Sequence, residues 1–399
     1  MTPRPRAPLS ADYFSRLSQA LHRAGIGEPV LVIDDDRLSD NLKLLTQLLP
    51  SPLAYRIVAK SLPSAPLLER VARQCRTDRL MSFNTHMLRQ VLELFPTGDH
   101  LMGKPVTLTA LDNFYTQLPR RLRAGGQKIH WLADTADRLQ ALELYAAQKR
   151  RPLNIGLEID IGLHRGGFET NLAPALSLLA QSKWLTLTAL MGYEPHLAKL
   201  PNLHNWRRHA QTNSRRAYRS AMAQIDGHLG AGTADTLIRN IGGSGTFRLY
   251  RDAQMANEVA AGSVLVKPSD FDLPSLSGFK PASFIATPIL KALNTIRLPA
   301  HEQATELLGD PEAGQMIFTH GGYWMADPVF PKGLGYHDLY GRSSNQEMMT
   351  YKRKPRLTVD DHVFLRPRQS EAVFLQFPNW AIYRKGKIDA VWAPLSPSV

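Results

Sequence analysis

The chain alternates short, apolar, β-rich runs with stretches whose apolar residues recur at helical spacing. The runs are PVLVID (29–34), LAYRIVAK (53–60), RLMSFN (79–84), HLMGK (100–104), KIHWLAD (128–134), NIGLEID (154–160), LTALMGY (187–193) and TLIRNIGGSG (236–245). Leu38, Leu42, Leu45 and Leu49 mark one intervening helix, and Leu139, Leu142 and Tyr145 another. Eight strand–helix units imply parallel strands joined by crossovers, the size of a closed (β/α)8 barrel. An open doubly wound sheet is the alternative. After about residue 275 the runs shorten and proline becomes frequent: SFIATPIL (283–290), HVFLRP (362–367), AVFLQF (372–377) and NWAIYRKGKIDAVW (379–392) read as antiparallel strands, with a turn at Lys385-Gly386-Lys387. The sequence therefore predicts an α/β fold: a (β/α)8 TIM-type barrel followed, after about residue 275, by a mostly β domain.

Composition narrows the classes. With 399 residues, 43% hydrophobic and 21% charged, the chain suits a folded globular protein. No stretch reaches the roughly 18 apolar residues of a membrane span. The basic start lacks an apolar region behind it, and Cys75 is the only cysteine. A cytoplasmic protein without a disulfide or cysteine-zinc site is expected. The net charge of +13 favours anionic partners. Basic residues are scattered in small groups (Arg120, Arg121 and Arg123; Arg215, Arg216 and Arg219; Lys352, Arg353, Lys354 and Arg356), without the aromatic-interleaved stripe of a nucleic-acid binder. Residues 1–10, with three prolines and two arginines, read as a loose tail.

Barrel chemistry collects at the C-terminal ends of strands, and phosphate is often held by the loops after the last ones. Lys60 ends the second run, where a partly desolvated amine is nucleophilic toward carbonyls. Gly242, Gly243, Ser244, Gly245 and Thr246 follow the eighth run, where bare glycines expose backbone N–H groups and the hydroxyls add donors. Arg165 follows the sixth run; it could bind a phenolate or carboxylate and be oriented by Asp160. Tyr193 closes the seventh, where a ring could lie against a flat cofactor. A lysine, a phosphate cup, an arginine and a tyrosine around one mouth point to pyridoxal 5′-phosphate held as an aldimine.

These segments resemble the fold-type III pyridoxal-phosphate enzymes, the alanine-racemase-like barrels, and within them the D-threonine aldolase and D-serine dehydratase branch. Arg56-Ile57-Val58-Ala59-Lys60-Ser61 is similar to its R-P-H-x-K-T segment. Asp160 to Gly167 is similar to its D-x-G-x-x-R-x-G turn, Tyr193-Glu194-Pro195-His196 to its Y-x-G-H, Gly242 to Thr246 to its phosphate loop, and Asn257-Glu258 through Gly262-Ser263 to the element that follows. The resemblance implies that Lys60 carries the cofactor, that Arg165 neighbours its phenolic oxygen, that 242–246 cup its phosphate and that Tyr193 contacts its ring. It also implies a barrel at 28–270, with residues 1–27 joining a β-rich domain at 271–399, and a homodimer acting on a small amino acid, with neither nucleic acid nor membrane as partner.

One departure limits the transfer. Where the branch carries the metal motif P-x-H-x-C or P-x-H-x-D, this chain reads Pro367-Arg368-Gln369-Ser370-Glu371, and where the branch has S-E-E-H-G it reads Ser344-Asn345-Gln346-Glu347-Met348. Glutamine is a poor substitute for imidazole, so no zinc-type site is expected, although Glu347 and Glu371 leave an oxygen-bound Mg²⁺ or Mn²⁺ open. The substrate hydroxyl then needs a protein acid or base, with Glu347, Glu371, His320 and Arg368 as candidates. The expected activity is that of a lyase on a D-3-hydroxy amino acid, by retro-aldol cleavage or β-elimination. Racemisation is the alternative and a non-catalytic cofactor carrier the second.

Overall fold

A computed structural model describes residues 9–201, 205–251, 253–294, 314–337 and 341–397. Most of the tail expected at residues 1–10 lies outside the described residues. The chain forms two compact units, each discontinuous in sequence. One draws on Met1–Asp40, Val266–Asp270 and Lys280–Pro394; the other on Asn41–Leu265, Phe271–Phe279 and Leu395–Val399.

The second unit is the barrel. After β1 (Val30–Asp34), which lies elsewhere, its parallel strands are β2 (Ala54–Val58), β3 (Arg79–Ser82), β4 (Asp99–Met102), β5 (Ile129–Ala133), β6 (Leu153–Ile159), β7 (Leu185–Gly192), β8 (Ile238–Ile241) and β9 (Glu258–Ala261). They close in chain order, β9 returning to β2 with Ala54 opposite Glu258 and Ile57 opposite Ala261. The connecting helices bury one apolar face each, as in Ala136–Lys149, where Leu139, Leu142, Tyr145 and Ala146 face inward behind an N-cap at Thr135.

The sheet unit holds nine strands among the described residues. β1 lies between β10 (Ser283–Leu293), to which it is antiparallel, and β16 (Trp380–Arg384), to which it is parallel. The others are β11 (Gln315–His320), β12 (Ala326–Phe330), β13 (Leu334–Tyr336), β14 (Gln346–Tyr351), β15 (His362–Pro367) and β17 (Lys387–Trp392). The helix Ala11–Arg23, capped by Ser10, packs Tyr13, Phe14, Leu17 and Leu21 onto Val30, Val32, Phe284, Phe364 and Tyr383. β16 and β17 form the expected hairpin, with Lys385 at φ 47° and Gly386 at φ 84°, the left-handed pair a two-residue turn requires.

Two expectations about elements are corrected. The run at 29–34 is not a barrel strand, so residues 28–40 do not open the barrel; its eighth strand is β9, making Lys60 the end of the first barrel strand and 242–246 the turn after the seventh. AVFLQF (372–377) is not a strand either: Ser370–Val373 is a helical turn and Phe374–Gln376 a 3-10 turn, with Val373 and Phe374 buried. Four apolar residues in a row, Ala372 to Leu375, satisfy a buried turn as well as a strand.

Candidate active site at the barrel mouth

β2 ends at Val58, and the 3-10 turn Ala59–Ser61 carries Lys60 out of the sheet. Its ammonium lies over the Phe83 ring, Nζ 4.4 Å from the centroid. Phe83 can occupy that place because Gly103 opposite it has no side chain; a Cβ there would come within 2.6 Å of the ring. The neighbouring Ser61 Oγ meets Ser263 Oγ at 2.9 Å, tying the lysine turn to the turn after β9.

From there the contacts continue around the mouth. Ser244 Oγ accepts the amides of Gly262 at 3.2 Å and Val264 at 3.1 Å. Both lone pairs are then used, and since no described residue accepts its proton, the Ser244 hydroxyl retains one O–H to donate. Gly243 presses against Tyr193, whose Cε2 would stand 2.7 Å from any Cβ placed there. Tyr193 in turn lies beneath Arg165, the guanidinium carbon 5.3 Å from the ring centroid. Lys60, Ser61, Ser263, Ser244, Gly243, Tyr193 and Arg165 thus form one arc over the ends of β2, β9, β8, β7 and β6.

Two expected roles change. Asp160 does not orient Arg165. Its Oδ1 accepts the amides of Gly162 at 2.9 Å and His164 at 3.0 Å, and its Oδ2 meets the His164 ring at 2.9 Å. Partial burial works to raise the Asp160 pKa, but these partners outweigh it and hold the carboxyl below its ordinary value. Glu158 is the acid that feels Arg165, although burial keeps its pKa raised. The turn needs Gly167 at φ 105°, since a Cβ there would strike the Asp160 amide at 2.7 Å. Thr246 supports the cup from behind: its Oγ1 accepts the Gly243 amide at 3.0 Å, and its hydroxyl faces Glu194.

Glu194 was not singled out by sequence. It is fully buried, accepts the Gly242 amide at 3.3 Å and lies against the hydroxyls of Thr246 and Tyr250. Burial pushes its carboxyl up to about 7 against those hydrogen bonds. The only signal available was its position immediately after Tyr193. Phe83 was also missed, although it stands beside an identified strand end; Ser263, noted only within the element that follows the phosphate loop, lies after β9, which was not recognised as a strand.

His320, Glu347, Arg368 and Glu371 belong to the sheet unit. Glu347 is buried in β14. Its Oε2 accepts the Tyr323 amide at 2.7 Å and Arg342 Nε at 2.9 Å, and its Oε1 the Ser343 amide at 3.1 Å, so it anchors two loops. His320 sits one register step away, its carbonyl accepting from Thr287 Oγ1. Glu371 is half-buried beside the Ser370 hydroxyl. Arg368 Nε and Gln369 Nε2 both donate to Asp270, each at 3.1 Å, so the pair replacing the branch's metal motif presents donors where a cation needs acceptors. Among the described residues no three His, Cys, Asp or Glu side chains converge as a metal site.

The mouth fits the expected cofactor on its own chemistry. An amine, a hydroxyl with a proton to give, an arginine and an aromatic ring match an aldehyde-bearing aryl phosphate.

Comparison with known proteins agrees with the fold. The profile of the alanine racemase N-terminal domain matches residues 33–270. No curated protein sequence matches the chain. Among solved structures, D-threonine aldolase from Filomicrobium marinum is similar at 15% identity, with a TM-score of 0.69 over 92% of this chain and 97% of that one. D-threo-3-hydroxyaspartate dehydratase from Delftia sp. HT23 is similar at 16% identity, TM-score 0.68, covering 93% and 98%. An alanine racemase of Clostridium difficile 630 is similar at 14% identity, TM-score 0.66, covering 91% and 98%. No described helix is long and apolar enough to cross a membrane.

Proposed function

Since this chain belongs to the alanine racemase N-terminal domain family, whose barrels are pyridoxal-phosphate enzymes, we propose that it is a lyase acting on a D-3-hydroxy amino acid without zinc. The observation that carries the reading is the continuous arc from Lys60 to Arg165 at the barrel mouth. In it Lys60 would hold the cofactor's aldehyde carbon. The 242–246 turn, through the Ser244 hydroxyl and the Gly245 amide, would hold its phosphate, Arg165 its phenolic oxygen and Tyr193 its ring. When bound, the conjugated pyridine ring accepts the electron pair left as a bond to the substrate's Cα breaks.

The protein's part is positioning and proton movement. Phe83 fixes the Lys60 amine over an apolar surface, from which it can take or return a proton at Cα on its own face. Arg165, stacked on Tyr193, supplies a fixed positive charge for an anionic oxygen. The likeness to D-threonine aldolase and D-threo-3-hydroxyaspartate dehydratase supports a 3-hydroxy substrate. The donor pair Arg368 and Gln369 at Asp270 supports the omission of zinc.

The test is incubation of the cofactor-loaded protein with D-threonine, D-serine and D-3-hydroxyaspartate, with D- and L-alanine as controls. Glycine plus an aldehyde, or a keto acid plus ammonia, is expected, at rates unchanged by chelator. Formation of the mirror-image amino acid alone would make it a racemase, an unchanged panel would make it a carrier, and loss of rate with chelator would restore the metal.

A further inference from the structure

Within the barrel unit, a cavity of about 350 Å³ is walled by Arg215, Arg219, Arg248 and Arg251, with Gln211 and Tyr250 between them. Gln211, Arg215 and Arg219 follow one another at intervals of four along the helix Trp206–Leu229 and so share a face. Arg248 and Arg251 come from the segment that follows the 242–246 turn. Two of the four donate only to backbone carbonyls: Arg215 to Leu249 at 3.1 Å and Arg248 to Ser275 at 2.7 Å. No carboxylate of the described residues pairs with any of them, whereas Arg56, Arg138, Arg239 and Arg384 all have an acidic partner.

Four guanidinium groups around one space repel one another, and like charges four apart weaken the helix that carries them. Among the described residues no acidic side chain lines the cavity to offset this. A guanidinium offers a planar fork of donors suited to phosphate oxygens, and the volume lies in the range that encloses a small molecule. A monoanion would leave most of the positive charge uncompensated and a dicarboxylate half of it; three linked phosphates would not.

We propose that this cavity binds a polyphosphate group, either free or as the tail of a nucleoside triphosphate, at a site separate from the 242–246 turn. Tyr250 joins the two places, since it lines the cavity and its hydroxyl touches Glu194 beneath that turn.

The experiment is calorimetric titration of the cofactor-loaded protein with tripolyphosphate and, separately, with adenosine triphosphate. The proposal expects saturable binding that weakens as salt rises and falls by at least about ten-fold in Arg219→Ala/Arg251→Ala, with the cofactor's visible absorbance and the ligand-free melting temperature unchanged. Tighter binding of adenosine triphosphate identifies a nucleotide, and equal binding the phosphate chain alone. Should the double variant melt early, Arg219→Gln alone must still weaken binding. The proposal is overturned by absence of binding at millimolar tripolyphosphate, by unaltered affinity in the variants, by release of cofactor from the loaded protein, or by tighter retention of single-stranded RNA.

Discussion

At the scale of single residues, Glu194 shows how a buried acid becomes part of a binding turn. Its carboxyl accepts the Gly242 amide and lies beside the Thr246 and Tyr250 hydroxyls, and burial raises its pKa from 4.5 to about 7. Because the folded protein binds this proton more tightly than the unfolded chain does, the group is neutral at no cost below about pH 4.5. Folding stability then declines as pH rises toward 7, by about 3 kcal/mol once both forms are ionised. Glu194→Gln is therefore expected to melt near the parent at pH 5 and above it at pH 8, as thermal unfolding across that range will show; a gap that shrinks with rising pH contradicts the assignment. Such a residue was not legible in the sequence, since a glutamate after a strand end reads as surface. That Lys60, Arg165, Tyr193 and the glycines of 242–246 lie at strand ends was legible, because an alternating pattern marks where strands stop. Thr246 and Asp160 were placed correctly along the chain, but their partners depend on loop geometry that spacing does not encode.

At the scale of elements, the barrel strands are tied by an interior polar cluster. Arg56 on β2 is fully buried and reaches Glu258 on β9 through Nε at 2.5 Å and Nη2 at 2.9 Å, and Asp99 on β4 at 2.7 Å. Arg79 on β3 and Asn240 on β8 also donate to Glu258, at 2.8 and 2.7 Å. Arg56 and Glu258 are both fully buried, so removing Glu258 leaves a buried guanidinium with only the partly exposed Asp99 as its acidic partner. Glu258→Ala should destabilise by about 3–5 kcal/mol, measured by urea unfolding; a loss below about 1 kcal/mol would mean that the cluster is hydrated and weak. This cluster also explains why β9 was missed. Its sequence, Glu-Val-Ala-Ala, lacks the β-branched run that marks a strand, because it contributes a charge and small side chains to a crowded interior. β1 was misassigned for the opposite reason: its five residues are all buried, and a strand covered on both faces reads alike in a barrel or at the centre of another sheet.

At the scale of the whole molecule, the alternation of strands and helices was enough to give the barrel class, and the shorter Pro-rich runs enough to give the β-rich region. The interleaving of the two units along the chain was not readable, because a domain made of distant segments leaves no composition boundary. The functional reading rests on the barrel mouth as an intact constellation, and its central claim is that Lys60 is the amine that holds the cofactor. Borohydride treatment of the cofactor-loaded protein, which fixes an amine to an aldehyde as a stable secondary amine, followed by peptide mass mapping, tests that claim most directly. The account predicts the pyridoxyl phosphate mass on the peptide containing Lys60 and its disappearance in Lys60→Ala; the same mass on another lysine, or on none after saturation with cofactor, would contradict it.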